Sequence, residues 1–293
     1  MSSKVRQWVR IAAIVLAAAV VLTARPGTAS AGERLIATGG VTQIEGAAGG
    51  GLVPWALIAG YGTRDEVGFT AFYTHLHISD FRLQAAGVAV GIYDRVEVSL
   101  AEQRFGLGST VPGESISQEI VGLKLKLAGD AVFDQDTLLP QIAVGVQFKN
   151  NRDFTIPRLL GAKKDSGADF YVAATKLHLA ALAGRNVLWN VTARATKANQ
   201  LGLLGFGGDR NDDYRVKFEG SVALFITDRV AAGFEYRAKP DNLGVFGEDN
   251  FRDVFIAFAP DKRFSLTAAY AKLGNIADKR NQHGLYLSGQ LSF

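Results

Sequence analysis

Apolar and polar residues alternate one by one along most of the chain. In the segment 285–293, LYLSGQLSF, the odd positions are apolar or glycine, and most even positions are polar. The same alternation recurs upstream, in the segments 142–149, 187–194, 214–224, 230–237 and 264–270. Successive side chains of a β-strand point to opposite faces, so the pattern predicts strands with one apolar face.

The length of these segments separates a membrane barrel from a soluble sheet. Strands of soluble proteins are usually about 5–6 residues long, whereas a strand that crosses a bilayer at a tilt needs about 9–11. The strands to which the alternating segments belong run to about 9–12 residues and are of the second kind. They predict an all-β protein, an antiparallel up-and-down transmembrane β-barrel whose apolar face meets lipid.

Thirteen strands can be drawn from the pattern. They are 52–62, 67–77, 82–92, 95–105, 117–127, 140–149, 169–180, 187–197, 214–226, 229–238, 252–259, 263–272 and 284–293. Because single-chain bacterial barrels have even strand counts, residues 35–45 are the candidate for a fourteenth, and fourteen is the favoured number. The alternative is twelve strands, with residues 32–63 forming an N-terminal plug or a periplasmic segment instead of a first hairpin.

The connections between strands alternate in length. Short turns occur at 93–94, 227–228 and 260–261, and longer polar or glycine-rich connections at 106–115, 150–167, 198–212, 239–251 and 273–283. Barrels of this kind place short turns in the periplasm and long loops outside the cell. Residues 128–138 form an exception, a fairly long periplasmic segment. The apolar stretch 202–208, GLLGFGG, could fold inward as a constriction or contact lipopolysaccharide.

The first 31 residues have the features of a cleavable signal peptide. Basic Lys4, Arg6 and Arg10 precede the apolar run 11–22, and Ala29-Ser30-Ala31 fits the small-x-small cleavage rule. The run is shorter than the roughly 20 residues of a spanning helix. Cleavage after Ala31 would leave residues 32–293 as an exported barrel domain.

Composition narrows the function classes. The chain has 32 basic and 28 acidic residues, and four of the basic residues lie in positions 1–31, so the remainder is balanced at 28 and 28. This balance gives no support to nucleic-acid binding. Without cysteine, disulfides, thiolate metal sites and cysteine nucleophiles are excluded.

Three stretches resemble known outer-membrane proteins. The final strand, with Leu287, Leu291 and a terminal Phe293, resembles the signal that the barrel-assembly machinery reads during biogenesis. The segments 38–63 and 91–105 resemble a family of uncharacterised proteobacterial outer-membrane proteins. The resemblance implies the outer membrane of a Gram-negative bacterium, with its lipid and lipopolysaccharide as partners, and it implies no specific activity.

The polar face of the strands is expected to line the lumen. Its charged candidates are Lys124, Lys126, Lys149, Arg194, Arg215, Lys217, Glu219, Glu235 and Arg237. Seven of these nine are basic, and Arg and Lys rings favour anions, so one hypothesis is a passive, narrow, porin-like channel with a mildly basic lumen. The competing hypothesis is a packed interior in which these charges pair with one another.

An enzyme is the weaker alternative. His77 and Ser79 lie in a His-x-Ser step near the outer end of a strand, which resembles the base and nucleophile of lipid-modifying outer-membrane esterases. No third, orienting residue is identifiable. His75 and His77 share a strand face but have no aligned third ligand, so we expect no metal, no cofactor and no catalysis. A structural scaffold that binds partners through its loops is the third class.

Overall fold

The computed structural model describes residues 39–293, and the signal-peptide prediction for residues 1–31 lies outside them. Twelve long strands dominate this part of the chain. Their bounds are β3 Val67–Ile78, β4 Arg82–Ile92, β5 Val96–Gly106, β6 Ser115–Ala128, β7 Gln141–Asn151, β8 Ser166–Leu182, β9 Arg185–Thr196, β10 Arg215–Thr227, β11 Val230–Arg237, β12 Phe251–Phe258, β13 Phe264–Ile276 and β14 Lys279–Ser292.

Every long strand pairs antiparallel with its sequence neighbours, and β14 pairs with β3 to close the barrel. The closing ladder runs from Ser292 opposite Thr70 to Gly284 opposite Ile78. Backbone hydrogen bonds between Phe69 and Phe293, in both directions, extend it to the end of the chain. The chain is therefore an up-and-down barrel without a free sheet edge, as the alternation predicts.

The alternation also sets the two faces of the wall. Along β14 the apolar Leu285, Leu287 and Leu291 are about half exposed (51%, 47% and 48%), whereas Tyr286 between them is 1% exposed. The half-exposed side chains form the outer surface of the barrel, which meets lipid. The even positions of β14 face the bore.

Fourteen strands, the favoured count, is wrong, and the alternative of twelve is correct. The segment expected as a strand at 52–62 contributes no strand to the wall, and 35–45 contributes only part of a short hairpin, β1 Val41–Thr42 with β2 Ala48–Gly49. Residues 35–38 lie outside the described residues. Most of residues 41–61 are buried inside the barrel. Their apolar character reflects enclosure by the wall and not a strand with one lipid face.

Little of the described chain is helical. A single α-helical turn, α1 Thr155–Leu159, lies in the connection between β7 and β8, and a 3-10 turn, Asn199–Gly202, lies in the connection between β9 and β10. Within residues 39–293, no helix has the length and apolarity to cross a membrane.

With short turns placed in the periplasm, the connections 107–114, 152–165, 197–214 and 238–250 lie at the extracellular end. The connection 129–140 is the long periplasmic one.

Candidate functional site

The bore of the barrel is occupied by residues 39–62, which we call the plug. Its hairpin, β1 and β2, places Glu45 at the turn. Glu45 contacts the extracellular halves of β7, β9 and β11, whereas Gly60 approaches Gly68 at the periplasmic start of β3. The plug therefore rises from the periplasmic end, turns at Glu45 and returns to join β3.

The plug is attached to the wall mainly through side chains of the wall. The backbone–backbone hydrogen bonds described for residues 41–55 all join plug residues to one another. Side chains of the wall bind several plug peptide groups: Lys124 donates to the carbonyls of Ala48 and Leu57, at 2.9 and 2.8 Å. Thr192 donates to the carbonyl of Pro54 at 2.8 Å. Buried peptide groups need such partners, and here the wall supplies them without extending its ladder.

Two carboxylates of the wall accept hydrogen bonds from plug N–H groups. Glu97 accepts from Ala48 and Ala59, at 3.1 and 2.9 Å, and also pairs with Lys124 at 3.0 Å. Glu235 accepts from Leu52 at 2.8 Å. These contacts fix the plug at two heights in the bore.

Glycines lie at two of the close contacts between plug and wall. A Cβ at Gly91 of the wall would lie 2.2 Å from the carbonyl oxygen of Ala59, and a Cβ at Gly50 of the plug would lie 2.0 Å from Oε1 of Glu235. Plug and wall therefore touch at the level of the main chain.

Six buried charges meet at the tip of the plug, and we call them the central charge cluster. They are Glu45, Lys149, Asp169, Arg194, Glu219 and Arg237. Glu45 pairs with Lys149, with Arg237 at 2.6 Å and with Arg194 at 3.8 Å. Asp169 accepts from Lys149 at 2.6 Å, and Glu219 accepts from Arg194 at 2.6 Å and lies 3.3 Å from Arg237. Three cations face three carboxylates, so the cluster is formally neutral.

Glu45 is ionised in this setting. Complete burial acts to raise its pKa, but the charges of Arg237, Lys149 and Arg194 outweigh it and hold the pKa of Glu45 well below the usual value. The plug is thus held by a carboxylate that keeps its charge.

The connection between β9 and β10 folds into the bore from the extracellular end. Residues 198–207, which we call the lid, are all buried. Lys149 and Gln118 donate to the carbonyl of Leu201, at 3.1 and 3.2 Å, and Asn151 donates to the carbonyl of Leu203 at 2.6 Å. Two roles were open for the stretch 202–208. The structure places it inside the bore, which agrees with a constriction.

The lid has a strained backbone and a second polar attachment. Gln200 and Leu201 have positive φ, 46° and 66°, which non-glycine residues rarely adopt. Gln200 donates to Glu248 at 2.5 Å and accepts from Lys239 at 3.2 Å, and Lys239 and Glu248 pair at 2.7 Å. The lid is therefore tied to the neighbouring connection 238–250.

An apolar space separates the lid from the plug, and we call it the upper chamber. Its volume is about 20 Å³, and of the twelve residues that line it only Gln200 is polar. Leu201 and Leu203 close it from the lid, and Ile44 and Leu52 close it from the plug. A second cavity of about 40 Å³ lies lower, between Trp55 and Tyr61 of the plug and strands β10 to β13.

The predicted lumen residues fall into two groups. Seven of the nine are buried and face the bore; they are Lys124, Lys126, Lys149, Arg194, Glu219, Glu235 and Arg237. Arg215 is exposed and Lys217 is partly exposed, both near the extracellular end of β10. The bore around the plug tip lacks the expected basic bias, because Glu45 and Asp169, absent from that prediction, balance the cations.

The hypothetical esterase pair is not assembled. Ser79 donates to the backbone carbonyl of His283 at 3.4 Å, and no hydrogen bond joins it to His77 in the described residues. His77 is exposed on the outer face, where it pairs in register with Arg82 and Leu285. Across residues 39–293 no group of three or more His, Asp or Glu side chains is placed to hold a metal ion.

The sequence matches one protein family over most of its length. Residues 38–290 match the family described as protein of unknown function, DUF3034. The chain belongs to this family. A search of curated proteins found no match. This match confirms the resemblance to an uncharacterised outer-membrane barrel family that the sequence indicated.

Solved structures similar to this DUF3034 protein are outer-membrane barrels. The KdgM porin in complex with disordered oligogalacturonate is 10% identical, with 76% of this chain and 99% of that chain covered and a TM-score of 0.48. The outer membrane protein Omp33 of Acinetobacter baumannii is 8% identical, with 79% and 100% covered and a TM-score of 0.47. The COG4313 outer membrane channel from Pseudomonas putida F1 is 10% identical, with 82% and 97% covered and a TM-score of 0.42.

Proposed function

We propose that this chain is an outer-membrane channel that the plug closes, and that it opens when Glu45 leaves the central charge cluster. The observation that carries the proposal is the attachment of the plug. Wall side chains hold it, while the twelve-strand ladder closes without it. The plug can therefore move while every wall strand stays paired.

The charge left behind favours anions. With Glu45 in place the cluster has three cations and three carboxylates. Without it, Lys149, Arg194 and Arg237 face only Asp169 and Glu219, which leaves one net positive charge at this height of the bore. Because Arg and Lys in a pore favour anions, the predicted basic lumen becomes a property of the open channel.

A reversible crosslink between plug and wall tests the gating. The chain has no cysteine, so two introduced cysteines have only each other as partners. A Cβ at Gly46 lies 3.7 Å from the Cβ of Ser99, near the mean of about 3.8 Å in disulfides. Gly46 has a φ of +98°, and a side chain there costs on the order of 1–3 kcal/mol. The matched control is Ser99→Cys with Gly122→Cys, two wall residues whose Cβ distance is also 3.7 Å.

Conductance of the purified protein in planar bilayers is the readout. We expect oxidised Gly46→Cys/Ser99→Cys protein to show at least tenfold fewer conductance steps than the same protein after reduction. The wall-to-wall control should not respond to reduction. A salt gradient across the bilayer should give a reversal potential that favours chloride.

Two outcomes would contradict the proposal. Equal conductance of the oxidised and reduced plug crosslink would show that ions pass without plug movement. Glu45→Gln removes a carboxylate that holds three buried cations, a change that typically costs about 3–5 kcal/mol. If neither wild type nor this variant conducts, the chain is not a channel.

A further inference from the structure

The upper chamber and the central charge cluster lie side by side. Ile44 lines the chamber and precedes Glu45 in the plug turn. Leu201, on the lid side, accepts through its carbonyl from Lys149 at 3.1 Å. Leu52, on the plug side, accepts through its carbonyl from Arg237 at 3.0 Å. An apolar space is thus one residue removed from Lys149 and Arg237, two of the three cations that bind Glu45.

We infer that the solute class of this channel is an apolar monocarboxylate, that is, a hydrocarbon body with one acid group. This inference rests on the proposed function and adds a ligand to it. The carboxylate of the solute takes the place of the Glu45 carboxylate among Lys149, Arg194 and Arg237. The apolar body lies in the upper chamber, where burial of hydrocarbon is favourable and no charge has to be desolvated.

The cation cluster discriminates between acid and neutral solutes. Guanidinium and ammonium groups bind carboxylates through short, charge-assisted hydrogen bonds. Arg237 binds Glu45 in this way at 2.6 Å, so the structure contains the recognition geometry with a carboxylate of the chain itself in place. An alcohol of the same length would gain the apolar contacts only.

The lid must move to admit such a solute. The chamber of about 20 Å³ holds little more than one water molecule, for which about 10–15 Å³ is needed. Leu201 and Leu203 are the chamber walls that belong to the lid, and the positive φ of Leu201 shows that this segment is held in an unfavourable conformation. Displacement of the lid relieves that strain and enlarges the chamber.

If the solute competes with Glu45 for the three cations, removal of the Glu45 charge should strengthen solute binding. Octanoate is the probe. Octanol is a neutral control of equal chain length, and acetate is a control that has the carboxylate but almost no hydrocarbon chain. Binding is measured by equilibrium dialysis of radiolabelled probe against the full chain in non-ionic detergent, with detergent alone as background. We expect Glu45→Gln to bind octanoate at least tenfold more tightly than wild type, with less than a twofold change for octanol and no measurable binding of acetate.

Two adjacent leucines of the lid provide matched variants that test where the hydrocarbon part of the solute binds. Leu203 lines the upper chamber and Leu204 does not, yet both are buried, with 3% and 1% exposure. Leu203→Asn should weaken octanoate binding at least tenfold, and Leu204→Asn less than threefold. If Leu203→Asn does not fold, Leu203→Phe keeps the chamber apolar but fills it, and should weaken binding in the same way.

The outcomes that would refute the solute assignment differ from those that would refute the channel proposal. Octanoate binding that is unchanged or weaker in Glu45→Gln, or equal in the two lid variants, overturns the assignment of the solute. Increased conductance of Glu45→Gln in the same preparation would leave the plugged channel standing. A variant that neither conducts nor binds overturns both.

Discussion

The ion pair between Lys239 and Glu248 holds the lid from outside the membrane-spanning strands. Burial lowers the pKa of Lys239 and raises the pKa of Glu248, so each group is shifted towards its neutral form despite the other's charge. Lys239 also lies 4.1 Å from the ring centroid of Phe251. The attraction within this pair therefore does not fully offset the cost of burying it.

This imbalance predicts how the pair responds to substitution. Lys239→Met alone leaves a buried carboxylate without its cation and should loosen the lid by about 3–5 kcal/mol. The double change Lys239→Met/Glu248→Leu should recover part of the lost protection, because it leaves no unpaired charge at this site, although Gln200 loses two hydrogen-bond partners. Hydrogen exchange of residues 199–206 measures the difference. A double variant as exposed as the single one would mean that the ion pair stabilises the lid outright.

The sequence predicts that the cations of the central charge cluster face the bore, but it does not predict that Glu45 of the plug pairs with them. Alternation assigns Lys149, Arg194 and Arg237 to the polar face, because that rule is local. Glu45 pairs with Arg237 across 192 positions of sequence, a distance no local rule spans. One signal was available, since Glu45 is the only charged residue between Arg34 and Arg64. An isolated charge in an apolar stretch requires a buried partner.

At the scale of one strand, the two faces and the two ends of β10 differ in their tolerance of charge. Val222 and Val216 both face outward, with 53% and 63% exposure, but Val222 lies near the middle of the strand and Val216 near its extracellular end. Arginine on the lipid face costs about 2–4 kcal/mol at the midplane and about 0–1 near the interface. We expect Val222→Arg to lower the free energy of unfolding by the larger amount and Val216→Arg by the smaller.

Denaturant titration of the protein in lipid bilayers gives both values. The order of the two losses in the free energy of unfolding is a stronger test than their magnitudes. Equal losses at the two positions would mean that β10 does not cross the hydrocarbon layer at the depth that its outward alternation indicates.

Most strand bounds are predictable from the sequence to within a few residues, and the plug is not. The long connection expected at 273–283 is wrong, because β13 continues to Ile276 and β14 begins at Lys279. The pattern predicts the segment 82–92 with the bounds that β4 has, although from position 85 onward both of its faces carry only apolar residues or glycine. The segment 52–62 was wrongly predicted as a strand. A plug surrounded by wall on every side needs no polar face, so its apolar residues follow no period, and Pro54 interrupts it.

For the whole molecule, assembly in the cell can be separated from folding. Leu287, Leu291 and Phe293, the predicted assembly signal, face outward on the strand that closes the barrel. Because Phe293 contributes to closure through its backbone, Phe293→Ala should refold in detergent like wild type. It should nevertheless accumulate less in the outer membrane, since a machinery that reads the side chain would be affected.

Leu285→Ala is the matched control, because Leu285 is also outward-facing on β14 but lies outside the signal. Quantification of folded protein in outer-membrane fractions compares the two variants. Equal losses would indicate that lipid contact, and not recognition, sets the effect.

Wall side chains satisfy the peptide groups of the plug one by one, and this has an evolutionary consequence. Loss of a donor such as Lys124 would orphan the main-chain carbonyls of Ala48 and Leu57, which are present whatever side chains these residues carry, and an orphaned buried group is costly. Transplanting residues 39–62 into the barrel of a distant relative would create many such orphans at once. Polar wall residues that bind the plug main chain are therefore expected to persist as long as the plug keeps its path, even where plug side chains change.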